Sequence, residues 1–551
     1  MNSRRSILGV VAVLAAMALP AQSPLAPEVQ EARLDNGIRV LLVERPSNGM
    51  VRIGLFFRGG TADTWGLHPA AARLLVRSMF STLTPEDLGE QPQLDALLLR
   101  ADHLREAIRI EDLQRERAPG LPGGEEDVHS LRAALKDTQE RIAGMTSAPG
   151  QPDLLDALGA VRRSVSADPD ALVSALDLPA AAFQEWAGLE ARRLRALRLS
   201  SLSRVRQSLD ATAPKEGFPQ RLLLESALPG VPYGRVLEPG GEAGVLLPEL
   251  KAYARAALSP GRMAIVLAGG LKLAEARPVL EATFGSLPPG DPLDRLQPDL
   301  PSGGRRGSKR ILVKEPGAAQ LRMAWPVPPL THPDRLPLEV LALLMSRPSG
   351  GQGLALPRFL DARACLGVPG GRLENLFVIE GRPEEGHSLA ECEQEIQRTI
   401  LRLQQESVTQ ESLEGALRRM ELESLGVQGD LEALVRKLGT AWCQGGDWRL
   451  AFPDLRALRR DGPVAVTRVA RKYLLPEAST LVLLEPEFGR DPGDTSQVEL
   501  LRLLRSKALA RLGDPLKADA LALQSMEQMR MLSREQRENI LQALRRSGNQ
   551  P

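Results

Sequence analysis

The strongest constraint on this 551-residue chain is that it repeats itself at domain scale. The run IRVLLVERP (Ile38–Pro46) returns as KRILVKEP (Lys309–Pro316). GMVRIGLFFRGG (Gly49–Gly60) returns as AQLRMAWPVPPL (Ala319–Leu330), and the apolar run at Met263–Ala268 returns at Leu481–Glu487. β-rich runs alternate with helical ones in both copies, so the expectation is two similar α+β halves, each with its own core.

Within the first copy, Asp35-Asn36-Gly37 is a turn signal, and residues 31–58 read as a β-hairpin followed by the strand Met50–Phe57. A helix is expected over residues 69–80, with Pro69 at its first turn and Leu74, Leu75, Val76 and Met79 on its apolar side. Arg73 and Arg77 fall four apart, on one face. Residues 86–146 are charged and Leu-spaced, with a breaker, APGLPGG, in the middle; they read as an inserted antiparallel helical hairpin. Two more helices are expected near AAFQEWAGLEARRLRALRL and SLSRVRQSLDA.

Composition excludes little, but it is informative at the ends of the chain. A net charge of +1 offers no overall field for nucleic acid, and none is expected as a partner. Only 3% of residues are aromatic, so cores must be built from Leu, Val and Ala. Residues 1–23 read as an export signal: Arg4 and Arg5, an apolar run from Ile7 to Leu19, then small residues. A retained anchor is the alternative. An exported chain of this kind belongs in the periplasm or cell envelope. Cys365, Cys392 and Cys443 lack metal-type spacing and read as buried small hydrophobes.

The opening ARLDNGIRVLLVERP…VRIGLFFRGGTAD, the helix ending in Met79-Phe80, the segment ALPGVPYGR (Ala227–Arg235) and the long stretch Leu247–Pro288 together resemble the pitrilysin/insulinase family of metallopeptidases. The resemblance covers roughly residues 31–83 and 150–488. It implies two homologous metallopeptidase-like α/β sandwich domains, each an antiparallel-rich sheet covered by helices, facing each other as a clamshell. The corresponding division is an N-terminal domain over 31–290 carrying the hairpin at 86–146, a linker at 291–307, a C-terminal domain over 308–488 and a helical tail over 489–551.

In that family the helix reads H-x-x-E-H: two histidines hold zinc and the glutamate polarises its water. Here those positions are Arg73, Val76 and Arg77, and the histidine of the family's F-P-x-H-P-Y-G-R segment is Val231. The family's third ligand is a downstream glutamate, yet Leu199–Ala213 contains none. A guanidinium offers no lone pair and stays charged, and valine has no proton to exchange. No zinc cofactor and no catalytic residue is therefore expected. None of the five histidines (His68, His103, His129, His332, His387) pairs with another at metal-binding spacing. Arg73 and Arg77 read as solvated or paired with acids of the facing half, or else as a grip for a peptide carboxylate or phosphate.

By the same resemblance, Gly350, Gly351 and Gly353, leading into a helix with Arg358, fall where a non-catalytic processing-peptidase subunit has a glycine-rich loop that handles substrate. They are the candidate peptide-binding residues, with an ordinary surface connection as the alternative. The functional expectation is an exported, non-catalytic family homologue that binds peptides or partners a similar or active family member, as a heterodimer or homodimer. An active zinc endopeptidase with a non-standard site and a structural envelope component are the alternatives.

Overall fold

The computed structural model describes residues 26–46, 49–64, 66–88, 92–117, 124–146, 153–211, 217–236, 241, 244–289, 307–315, 318–346, 356, 358–384, 386–486, 495–512, 515–529, 532 and 534–546. The export signal, nearly all of the 291–307 linker and Gly350, Gly351 and Gly353 lie outside the described residues.

Two sheets carry the fold. The first comprises β1 (Gln30–Arg33), β2 (Arg39–Glu44), β3 (Met50–Arg58), β4 (Val161–Ala167), β5 (Ala171–Pro179) and β6 (Met263–Gly269), in spatial order β1-β2-β6-β3-β5-β4. The second comprises β7 (Lys309–Glu315), β8 (Gln320–Val327), β9 (Phe359–Val368), β10 (Asn375–Pro383) and β11 (Thr480–Pro486), ordered β7-β11-β8-β10-β9. The repeat seen in the sequence is thus a repeat of topology. Each sheet has one parallel pair, β2 with β6 and β7 with β11, among antiparallel neighbours. The expected hairpin at 31–58 is β1–β2 alone, turning at Asp35–Gly37; β6 separates β2 from β3.

The first half's helices are α1 (Ala70–Phe80), the inserted pair α2 (Pro92–Arg117) and α3 (Gly124–Thr146), the short α4 (Leu154–Ala157), α5 (Phe183–Ala196), α6 (Leu202–Ala211), α7 (Phe218–Ala227), α8 (Leu247–Ala257) and α9 (Leu273–Thr283). The second half supplies α10 (Arg335–Met345), α11 (Leu389–Gln405), α12 (Gln410–Gly429), α13 (Leu431–Gly445), α14 (Leu455–Asp461) and α15 (Pro463–Tyr473). Three more helices, α16 (Thr495–Leu512), α17 (Pro515–Gln528) and α18 (Arg534–Arg546), pack on one another around Leu500, Met526 and Leu541.

Alternation along the strands decides how the halves assemble. In β2, Val40 and Leu42 face the first half's own helices, while Leu41 and Val43 face the opposite way. That second face is covered by α13, contributed by the other half, through Leu434, Val435, Leu438 and Trp442. The exchange is reciprocal. Leu223, Leu224 and Leu228, on and just after α7, cover Ala324, Leu376, Val378, Val482 and Leu484 of the second sheet. Each half therefore hides one face of its partner's sheet.

The fit under α13 is tight enough to require glycine. A Cβ on Gly439 would lie 2.4 Å from the Phe56 ring, and one on Gly54 2.7 Å from a Val435 methyl. A polar interlock joins the halves elsewhere. The β4–β5 turn presents Asp170, whose carboxylate accepts from the Tyr233 hydroxyl and, at 2.7 Å, from the Gly371 N–H of the second half's β9–β10 connection. Arg372 donates its backbone N–H to Tyr233 at 2.9 Å and its guanidinium to Asp63 at 2.6 Å. Burial, reinforced by the Asp170 carboxylate, raises the Tyr233 phenol well above its usual range.

One expected helix is a strand. Arg358 stands at the start of β9, where Phe359, Ala362 and Ala364 are buried and Leu360, Asp361 and Arg363 are exposed. That near-alternation suits an edge strand paired with β10, bulge included.

Gly439→Ala should destabilise the protein by about 1–3 kcal/mol through overpacking against Phe56. Gly426→Ala in α12, where nothing lies within 4 Å, should be neutral or slightly stabilising. Denaturant midpoints of the two variants provide the check.

Candidate functional site

The helix at the zinc-motif position, α1, is held by its apolar side. Leu74, Leu75, Met79 and Phe80 are buried in the first core, and Val76, at the general-base position, is only 1% exposed among them. Arg73 is half-buried and Arg77 exposed. His68 is engaged locally at the start of α1. Its Nδ1 accepts the N–H of Ala70 at 3.1 Å, helping to satisfy the first turn of α1, and its ring lies against Gly241. His332 plays the same local part before α10, accepting from the Asp334 N–H at 3.0 Å.

The neighbouring helix, α6, is committed to the inserted hairpin. Arg206 is buried and pairs with Asp102 of α2, and it also donates to the Val245 carbonyl. Asp102 accepts the Leu247 N–H at 2.5 Å, at the start of α8. Asp95 of α2 meets Arg198 at 2.5 Å and Lys251 of α8 at 3.3 Å. Leu94, Leu97, Leu98 and Ala101 of α2 join the first core. The hairpin is thus rooted in the helix layer by one buried acid and an apolar stripe.

Beneath the end of α1, the buried Arg193 donates to the Met79 carbonyl at 2.8 Å and lies over the Phe80 ring. Glu190, 3.4 Å from that guanidinium, has its carboxyl pKa raised by burial. This carboxyl group is sealed inside the core beside its arginine.

Zinc is implied by the fold but does not fit this site. The three motif positions supply two guanidinium groups and a buried isopropyl, which would repel or ignore a dication. Among the described residues, no group of three or more His, Cys, Asp or Glu side chains is arranged to hold a metal ion.

A cavity of ≈ 340 Å³ opens between the halves at the N-terminal end of α1. Thr61, Asp63, Pro69, Leu228, Val231 and Arg372 are among the residues that line it. Its charged lining is the paired Asp63 and Arg372, Arg235, and Glu225, whose carboxylate lies 3.6 Å from Arg221, and the space between them can receive an apolar or neutral polar group. The motif positions do not line it. Arg358, named from the sequence for peptide binding, instead sits 3.7 Å from Glu391 and 3.6 Å from Glu395 of α11. Sequence reasoning missed Asp63, Asp170, Tyr233 and Arg372. The tyrosine of PYGR and the Gly370-Gly371 pair were the available signals.

The fold is a two-half α+β scaffold, and Arg73, Val76 and Arg77 on α1 offer no zinc donor. Residues 246–420 match the family model described as the peptidase M16 inactive domain. No curated protein matches the chain by sequence. Among solved structures, a protease from Helicobacter pylori superposes with a TM-score of 0.60 at 15% identity, covering 84% of this chain and 100% of that one. A peptidase M16 inactive domain from Pseudomonas fluorescens gives 0.58 at 16%, covering 84% and 99%. The first half of the periplasmic protease PqqL from Escherichia coli gives 0.58 at 12%, covering 84% and 93%. Residues 246–420 thus match an M16 family model, and the chain shares the fold of these M16 structures, with Arg73, Val76 and Arg77 at the positions the sequence resemblance assigns to the zinc motif.

Asp102→Ala should destabilise the first half by about 3–5 kcal/mol, because it strands the buried Arg206 charge. Denaturation midpoints should fall, and hydrogen exchange in 92–117 should accelerate. An unchanged midpoint would remove the hairpin from the supporting structure.

Proposed function

We propose that this protein is an exported, non-catalytic M16 homologue that works as the partner subunit of a similar or active family member, using the cleft between its halves to hold peptide. The observation that carries the reading is Val76, buried in the core where a general base would have to face solvent. Nothing at that position can take a proton from water. The match of residues 246–420 to an inactive-domain family supports the same reading. The cavity beside Pro69 and Val231 offers an apolar recess bridging both halves, as a peptide side chain requires. Export rests on the basic-then-apolar start of the chain, with the periplasm or envelope as destination. Among the described residues, no helix is long and apolar enough to cross a membrane.

Purification of the full chain from its native envelope provides the test. A second M16-fold protein with an intact zinc motif should accompany it in stoichiometric amount, with all peptidase activity and bound metal on that partner. Chelator-sensitive cleavage by this chain alone would overturn the proposal.

A further inference from the structure

Among the described residues, the structural repeat is incomplete at one flank. In the first half, β2 is covered at its outer edge by β1, and β6 leads directly into α9. From this region Ala276, Leu280 and Phe284 enter the helix-side core. The Phe284 ring packs 5.9 Å from Trp186 of α5, and the Phe284 carbonyl accepts from Asn36 at 2.8 Å. In the second half, β7 is the edge of its sheet, and the described chain resumes after β11 at α16, which packs with α17 and α18.

Register shows what this leaves uncovered. Val40 lies beside Ile265 and Leu42 beside Leu267; the corresponding neighbours in the second half are Arg310 beside Leu481 and Leu312 beside Leu483. Val40 and Leu42 are 0% and 1% exposed, whereas Leu312 is 53% exposed and Leu401 of α11 is 52% exposed. A cavity of ≈ 400 Å³ lies there, lined in part by Met323, Trp325, Ile400, Leu401 and Leu481. It is bounded by the second-half counterparts of the elements that surround α9.

We propose that this seat receives an amphipathic helix from a partner protein, laid as α9 is laid in the first half and carrying acids beside its apolar stripe. The charges select that occupant. Lys314 is exposed on the face where the first half has Glu44, and Arg310, where it has Val40, is exposed and paired with Glu393 of α11. The helix that fills the equivalent place, α9, carries Glu275 and Glu281 against Arg277 alone. The chain's own α16 has the wrong sign, with Arg502, Arg505, Lys507 and Arg511 against Glu499. The proposal does not depend on the cleft holding peptide.

The test uses full-length protein and a fluorescent peptide copying residues 270–289 of this chain. Saturable binding is expected. Leu401→Asp and Leu312→Asp should each weaken it about tenfold, as should Glu275→Lys with Glu281→Lys in the peptide. Both protein positions are exposed, so circular dichroism should stay unchanged. The proposal fails if the full chain binds no peptide, as when residues 495–546 cover the seat in solution. It fails equally if both protein variants bind as well as the parent.

Discussion

Neither sheet can bury its second face alone, and everything else in the structure follows from that. Leu434, Val435, Leu438 and Trp442 leave one half to cover the other's strands, and Leu223, Leu224 and Leu228 return the exchange. Each such side chain is worth roughly 1.5–3 kcal/mol when fully buried. The polar interlock of Asp170, Tyr233 and Arg372 then fixes how the halves meet, because a misplaced loop would strand buried polar groups. Stability therefore rests on apolar contact and satisfied hydrogen bonds, none of which needs an ion.

That independence means the fold makes no demand for metal donors on α1. The helix α1 is secured by Leu74, Leu75, Met79 and Phe80, all buried in the first core. Arg73 and Arg77 stand outside that core, half-buried and exposed. Val76, at the position the resemblance assigns to the general base, is part of the core. A burial gain of that kind adds packing where a charged base would have cost desolvation.

The repeated strands β2, β3, β6, β7, β8 and β11, and α1, were legible because their signals are local: alternation, turn residues and a repeated pattern. The inserted helices announced themselves by leucine spacing around a breaker. What local pattern concealed is what crosses between halves. Nothing in the sequence of α13 says that it caps a sheet begun some 400 residues earlier, only that it is amphipathic. The strand at Phe359–Val368 was missed because a bulged edge strand alternates imperfectly. The pairing of Arg358 with Glu391 and Glu395 was equally out of reach, since it joins a strand's start to a helix's first turns. The acid that roots the hairpin, Asp102, looked like any solvated charge until Arg206 and Leu247 closed around it.

The account stands on the chemistry of three side chains, so equilibrium dialysis of the isolated full-length protein against zinc tests it most directly. Arg73, Val76 and Arg77 supply no donor, and the predicted result is no stoichiometric ion at micromolar free zinc. One tightly held zinc per chain, coordinated beside α1, would contradict it.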